Sequence, residues 1–207
     1  MDNESYRTLK LLDELTQNKH LSQRVLSKRL GIALGLTNLY LKRLIKSGYI
    51  KVKNIQKNRL IYELTPTGVA KKASLTLGYI QNSFQYYREI RNRTQTCFQA
   101  VLLEGSKTVV FYGVGEVAEI AYLSLQETGL GLAAVADDSK EGTEFLGYTV
   151  MSSSSLREIR FDRIIVTSLE ADDAVLRLFS RAEIPREKIC FLNLGNAFDT
   201  RTIQETS

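Results

Sequence analysis

Between Ser5 and Thr16 apolar side chains recur at Tyr6, Leu9, Leu12 and Leu15, the spacing of one helix face, with acidic residues leading the segment. After a polar break, Ser22 stands where a cap belongs, ahead of a second helix whose Val25, Leu26 and Leu30 share a face. Gly31 ends that helix, because a residue free to take positive φ suits a sharp turn. A third helix is predicted from Ala33 to Ser47, stopped by Gly48. Its wheel sets Thr37, Leu41, Leu44 and Ile45 toward a core. The opposite arc holds Gly35, Leu39, Lys42, Arg43 and Lys46, with Asn38 at its border. The period then drops to two in Tyr49-Ile50-Lys51-Val52-Lys53 and again in Leu60-Ile61-Tyr62-Glu63-Leu64. Turn formers and cations from Asn54 to Arg59 join the two runs into a hairpin whose tip carries Lys57, Asn58 and Arg59.

From Thr67 to about Leu103 the helical period runs on, with Gly78 able to bend the helix or break it near Ser74. Ala73, Leu77, Ile80, Phe84 and Tyr87 alternate by four and three, a coiled-coil-like seam, until Ile90 shifts the stripe. Beyond it short apolar runs alternate with helical stretches. Thr108 to Tyr112 reads as a buried parallel strand, a helix follows to about Thr128, and Leu132 to Ala136 is the next strand. Leu146 to Val150 reads as a short extra strand, and Ser152 to Ser155 as the cap of a helix near Leu156. Asp162 to Ser168 is a strand, Ala171 to Ala182 a helix, and Lys188 to Leu192 a strand after the Pro185 turn. The fold class is α/β overall, with an N-terminal winged helix-turn-helix, a long linker and dimerisation helix, and a C-terminal Rossmann-like parallel sheet domain. The expected boundaries are 1–66, 67–105, 106–195 and a polar tail of 196–207.

Charge sharpens this division. The formal net charge of +5 is the sum of unlike halves: residues 1–105 carry 18 Lys and Arg against 7 Asp and Glu, and residues 106–207 carry 10 against 16. The basic half holds the helix-turn-helix pattern, so it gains free energy near a polyanion by releasing counterions, and double-stranded DNA is the expected partner. The candidate DNA-binding residues are Asn38, Leu39, Lys42, Arg43 and Lys46 on the third helix, with Lys53, Lys57, Asn58 and Arg59 on the wing. Cations suit phosphates and guanine edges, an amide suits adenine, and an apolar side chain suits a thymine methyl. A palindromic site needs a two-fold protein, so a homodimer is expected through Leu77, Ile80, Phe84 and Tyr87. Arg88, Arg91 and Arg93 read as a solvated face.

In the acidic half, Gly113-Val114-Gly115-Glu116-Val117-Ala118 matches G-x-G-x-x-A at a strand-to-helix turn. Gly113 permits the turn, Gly115 lets a phosphate approach the backbone, and Ala118 allows close helix packing. Asp137-Asp138 ends the second strand where a ribose-binding carboxylate belongs. The candidate ligand-binding residues are Gly113, Val114, Gly115, Glu116, Asp137 and Asp138. The ligand is of nucleotide type, with a nucleotide sugar and NAD(H) both open and NADP disfavoured by the carboxylate.

Two resemblances follow from these residues. Gly31 to Asn38, Leu41 to Asn54 and Tyr62-Glu63-Leu64-Thr65-Pro66-Thr67-Gly68 resemble the MarR-type winged-helix regulators associated with exopolysaccharide gene clusters, over roughly residues 5–90. That likeness implies a sequence-specific DNA-binding homodimer, although short members of the group lack an acidic second half. Tyr112-Gly113-Val114-Gly115-Glu116, Ala136-Asp137-Asp138 and Phe145-Leu146-Gly147-Tyr148-Thr149-Val150 resemble the small nucleotide-binding domains of bacterial polysaccharide enzymes, the sugar acetyltransferases and sugar-phosphate transferases. The order of the two domains is also similar to Rex-type redox repressors, without their DNA-binding motif.

Catalysis finds little support. A Tyr-x-x-x-Lys, Tyr6 to Lys10, lies in the first helix, and the only histidine, His20, sits in a turn. No Cys, His, Asp or Glu set has metal-ligand spacing, so no metal site and no catalytic residue is expected. Cys97 and Cys190 lie in different halves and read as core residues of a protein from a reducing cytoplasm. No apolar run is long enough for a membrane span, and the start, Met1-Asp2-Asn3-Glu4, is acidic where a signal peptide would be basic. The expectation is a cytoplasmic, ligand-responsive transcription regulator and not an enzyme. The alternative is a nucleotide-sugar-modifying or NAD-dependent enzyme with an accessory nucleic-acid-binding domain.

Overall fold

A computed structural model of the chain describes residues 1–55, 59–168 and 172–192, in two compact units, one of Met1–Phe84 and one beginning at Gln85. Lys57 and Asn58 at the wing tip, and the expected polar tail from residue 196, lie outside the described residues.

The first unit orders three helices and a hairpin: α1 (Asn3–Gln17), α2 (Gln23–Arg29), α3 (Leu34–Lys46), β1 (Ile50–Ile55) and β2 (Arg59–Leu64). Side chains open the first two helices, since Asp2 accepts from the Ser5 N–H at 2.7 Å and Ser22 accepts from the Val25 N–H at 3.3 Å. Gly31 and Gly48 take φ of +63° and +71°, ending α2 and α3 in the left-handed region as their positions require. The hairpin is antiparallel, with Ile50 opposite Leu64 and Val52 opposite Tyr62. Leu11, Leu12, Leu15, Leu26, Leu41, Leu44, Ile50 and Tyr62 form the core.

Ile45, expected in the core, and Val25, expected to share a face with Leu26, both meet solvent. Ile45 is 41% exposed and Val25 39%, while Tyr40 and Leu11 are buried instead. On α3 the reason is angular. Tyr40 lies three residues after Thr37 and four before Leu44, closer to the middle of the buried arc than Ile45.

Helix α4 (Pro66–Leu103) is a single helix of 38 residues, unbroken at Ser74 and Gly78. Pro66 takes its first position, where a missing N–H is harmless, and Thr65 caps it by accepting from the Gly68 N–H at 3.1 Å. The Thr65 hydroxyl also donates to the Gly48 carbonyl at 2.6 Å, so one residue joins the helix start to the turn after α3. Gly68 is obligatory at this junction, because a Cβ there would lie 1.9 Å from the Tyr49 carbonyl oxygen.

The second unit is a parallel sheet of β3 (Thr108–Tyr112), β4 (Gly131–Ala136), β7 (Arg163–Val166) and β8 (Ile189–Phe191) in the order β4-β3-β7-β8. Alternation along β3 assigns its faces. Val109 and Phe111 pack with Ile90, Phe98 and Val101 of α4 and with α5 (Glu116–Leu125). Val110 and Tyr112 pack with Val175 and Phe179 of α6 (Asp172–Arg181). The result is a three-layer α/β arrangement. The expected strand over Leu146–Val150 is instead a small hairpin, β5 (Glu144–Phe145) with β6 (Tyr148–Thr149). Leu146 and Gly147 both have positive φ and make the two-residue turn between them. The expected helix after Ser152 is a 3-10 stretch, Ser153–Glu158.

Candidate nucleic-acid interface and ligand loop

Helix α3 presents its basic arc to solvent. Leu39 is 43% exposed, and Lys42, Arg43 and Lys46 are exposed with it. Gly35, on the same arc, has open space where a Cβ would stand, so another backbone or a base edge can approach. The α3 N-terminus has Ala33 at its cap with no side chain accepting from it, leaving its first N–H groups available to a phosphate oxygen.

The candidate side chains divide into three situations. Lys42 and Lys46 form no ion pair among the described residues. Arg43 stands at one flank of the arc, where its guanidinium meets the Glu4 carboxylate of α1 at 2.8 Å. With Lys46, Asp2, Glu4 and Lys71 it borders a groove of about 570 Å³. Asn38 stands at the other flank, half-buried, and its Oδ1 is buried without a hydrogen-bond partner among the described residues.

On the hairpin, Lys53 and Lys51 both reach Glu63 of the neighbouring strand, at 3.0 and 3.2 Å. Hydrogen bonds from Lys53 and then Lys51 hold the Glu63 carboxyl below its usual range. Arg59 opens β2, with its side chain outside the described part. Neither Glu4 nor Glu63 was singled out by pattern. The cross-strand pairing of Lys51 with Glu63 needs only the hairpin register, whereas the Glu4 contact spans 39 residues and has no local signal.

Along α4, Leu77 and Phe84 are each 61% exposed and Ile80 is exposed beside them. Tyr87 departs from the expected seam, because it is half-buried against the core of its own sheet domain. The stripe therefore ends one turn earlier than its sequence period suggests. Arg91 is on the surface as expected, paired with Glu127 at 2.7 Å.

The glycine loop between β3 and α5 is built as its motif requires. Gly113 has φ +104°, and a Cβ there would come within 2.4 Å of the Ser168 nitrogen. Its N–H donates to the Ala136 carbonyl at 2.8 Å. Gly115 is extended, with open space where a Cβ would stand, and no side chain caps α5. Glu116 at the first turn suits the helix dipole, but its carboxylate would oppose a phosphate, so it can serve an anion only through its N–H.

The structure brings both acids of Asp137-Asp138 to this loop, each engaged within the chain. Asp137 accepts from the Val114 N–H at 2.9 Å through one oxygen, and from the Ser139 N–H and hydroxyl at 2.9 and 2.6 Å through the other. Burial opposes its ionisation, yet these hydrogen bonds and the Lys140 charge outweigh burial and hold the carboxyl below its usual range. Lys140 also reaches the Val114 carbonyl at 2.7 Å. Asp138 accepts from the Ser153 N–H and hydroxyl at 3.1 and 3.0 Å and from the Tyr112 hydroxyl at 3.1 Å. Ser139, Lys140 and Ser153 were not among the expected site residues, since each contact depends on how the loops fold back over the strand ends.

No group of His, Cys, Asp and Glu among the described residues is arranged to hold a metal ion, and no described helix is long and apolar enough to cross a membrane. A family model described as winged helix-turn-helix DNA-binding matches residues 4–51, and one described as C2185-like, N-terminal, matches residues 105–190. No curated protein matches this chain. A solved structure described as PigF with SAH shares 17% identity over 87% of this chain and 69% of that one. Its TM-score of 0.33 is too low to bear on fold or activity. The N-terminal unit is a winged helix-turn-helix DNA-binding domain, followed by a long helix and a Rossmann-like parallel-sheet domain.

Proposed function

We propose that the protein is a homodimeric, ligand-responsive transcription regulator of polysaccharide-related genes, acting in the cytoplasm, whose effector is a nucleotide-type molecule, a nucleotide sugar or NAD(H). The observation that carries the DNA-binding part is the exposed arc of Gly35, Leu39, Lys42 and Lys46 on α3 of a winged helix-turn-helix. Asn38 and Arg43 flank that arc and are suited to adenine and guanine edges once the buried Asn38 Oδ1 turns outward and Arg43 exchanges Glu4 for a base. Lys53, Lys57, Asn58 and Arg59 serve the DNA backbone from the wing.

Dimerisation is supported by Leu77, Ile80 and Phe84, large apolar side chains exposed on successive turns of one helix. Effector binding is supported by the glycine loop at the α5 N-terminus with Asp137 and Asp138 beside it. A phosphate there would take the N–H groups of Gly115 and Glu116, and that of Val114 once Asp137 releases it to accept from a ribose hydroxyl. The polysaccharide assignment rests on the sequence resemblance alone.

The test is operator binding by wild type across salt concentrations, with and without NADH and UDP-sugars. Lys42→Ala is expected to flatten the salt dependence by about one phosphate contact, a change of roughly 0.9 in the log–log slope. Phe84→Glu is expected to yield monomers at dilute concentration and to weaken operator affinity, since it places a carboxylate on the seam. Operator binding unchanged by any nucleotide, together with no saturable nucleotide binding, would remove the effector from this reading.

A further inference from the structure

The groove of about 570 Å³ that Arg43 borders is walled by three helices of the first unit, α1, α3 and the start of α4. The close approach of α4 creates it. Because Gly68 has no side chain, the helix can start against the Tyr49 carbonyl, and Lys71 and Leu75, four residues apart, then line the groove from one α4 face. Leu44, Tyr49 and Leu75 give the groove an apolar wall. Tyr40 joins them at 7% exposure, and its hydroxyl has no hydrogen-bond partner among the described residues. A phenol placed so deeply normally has a partner, and the groove it lines is where one can enter.

The charges around the groove are not all engaged. Asp2 is taken up by the Ser5 N–H and hydroxyl, at 2.7 and 3.1 Å, and Glu4 by Arg43 at 2.8 Å. Lys46 of α3 and Lys71 of α4 form no ion pair among the described residues. Two uncommitted ammonium groups, an unpaired phenol and an apolar wall are complementary to an acid with an apolar body.

We propose that this groove is a second effector site, taking a small apolar carboxylic acid as its anion. The carboxylate engages Lys71 and Lys46, the Tyr40 hydroxyl donates to the bound acid, and the apolar body covers Leu44, Tyr49 and Leu75. The volume is that of a small-molecule site. A nucleotide diphosphate fits it poorly, because its charge exceeds what the uncommitted lysines balance and its sugar gains nothing from the apolar wall. Lys46 also belongs to the exposed arc of α3, so the acid and a DNA phosphate compete for one ammonium group. The acid therefore weakens operator binding, and DNA weakens acid binding by the same factor. That coupling rests on the reading of α3 as the recognition helix; binding of the acid does not.

The experiment titrates the full-length chain, without DNA, with decanoate, naphthoate and indoleacetate by calorimetry. At least one is expected to bind saturably, with one molecule per chain. Its neutral amide is expected to bind about tenfold more weakly, and inorganic phosphate not to bind. Lys71→Met is expected to weaken the acid by about tenfold and Tyr40→Phe by about threefold. Thermal unfolding of Tyr40→Phe should stay near wild type, since the hydroxyl it lacks had no partner in the chain. Gly115→Val, in the other unit, is expected to bind the acid as wild type does, so a failed nucleotide titration leaves this site standing. No saturable binding of any of the three acids, equal affinity for acid and amide, or full affinity in both Lys71→Met and Tyr40→Phe would each overturn the proposal. Operator affinity unchanged at saturating acid would overturn the coupling.

Discussion

The recognition helix and the glycine loop are both candidate binding sites, yet they direct their polar atoms in opposite ways. On α3, Lys42 and Lys46 point to solvent and Arg43 is held only by an exposed carboxylate, so a partner meets groups ready to engage it. At the glycine loop, Asp137 is bound to Val114 and Ser139, and Asp138 to Ser153 and Tyr112. A ligand there must exchange these bonds for its own. An exposed ion pair is worth about 0–1 kcal/mol and is readily given up, whereas hydrogen bonds to a charged acceptor are worth about 1.5–3 kcal/mol each. The first site is thus set by surface charge and the second by internal satisfaction. Substitutions should separate the two.

The largest expected effect lies within the loop itself. Gly113→Ala should destabilise the sheet domain by about 3 kcal/mol or more, because it combines a left-handed backbone with a backbone clash at Ser168. Gly115→Val should leave thermal unfolding nearly unchanged while abolishing nucleotide binding, since its side chain enters the space beside α5 where the phosphate would lie. Thermal melts paired with nucleotide titration check both. Equal destabilisation by the two would mean that the loop is purely structural.

Next comes Arg43→Ala, which should weaken operator binding by about 1–3 kcal/mol and relax base preference at one position. Glu4→Gln, which frees Arg43 from its ion pair, should strengthen binding by less than about fivefold at low salt. Both are read from affinity on the same operator. A loss on Glu4→Gln would show that the pair holds Arg43 in its binding pose rather than away from DNA.

The smallest expected effect is pH-dependent. Asp137 ionises below its usual range in the folded chain, so the stability it contributes is complete above the unfolded carboxylate value. That stability is lost as pH falls through the lowered folded value, below about pH 4. Asp137→Asn should therefore cost about 1 kcal/mol at neutral pH, and the difference from wild type should shrink in acid. Urea unfolding of both chains at neutral and acid pH measures it. A difference independent of pH would exclude the carboxylate charge as its source.

Much of the architecture was legible as period and punctuation. The helix wheel of α3, the alternation in β1 and β2 and the glycines at 31, 48 and 113 were readable because each depends on a few neighbouring residues. The same local logic missed where distant segments supply partners. It placed Ile45 inside and left Tyr40 unassigned, since the buried arc of α3 is centred by the helices and hairpin that cover it. It placed Tyr87 on the expected seam, and the fold half-buries that residue against the core of its own sheet domain.

By itself, then, the sequence determined the order of helices and strands, the split of charge between the halves and the glycine turn ahead of α5. All three follow from backbone preference, side-chain period and composition, which act over one or two turns of chain. Tertiary structure decided that Arg43 meets Glu4 and that Asp137 closes on Val114. Those partners are 39 and 23 positions apart, and no local pattern records them, because only packing of the completed core brings their backbones together.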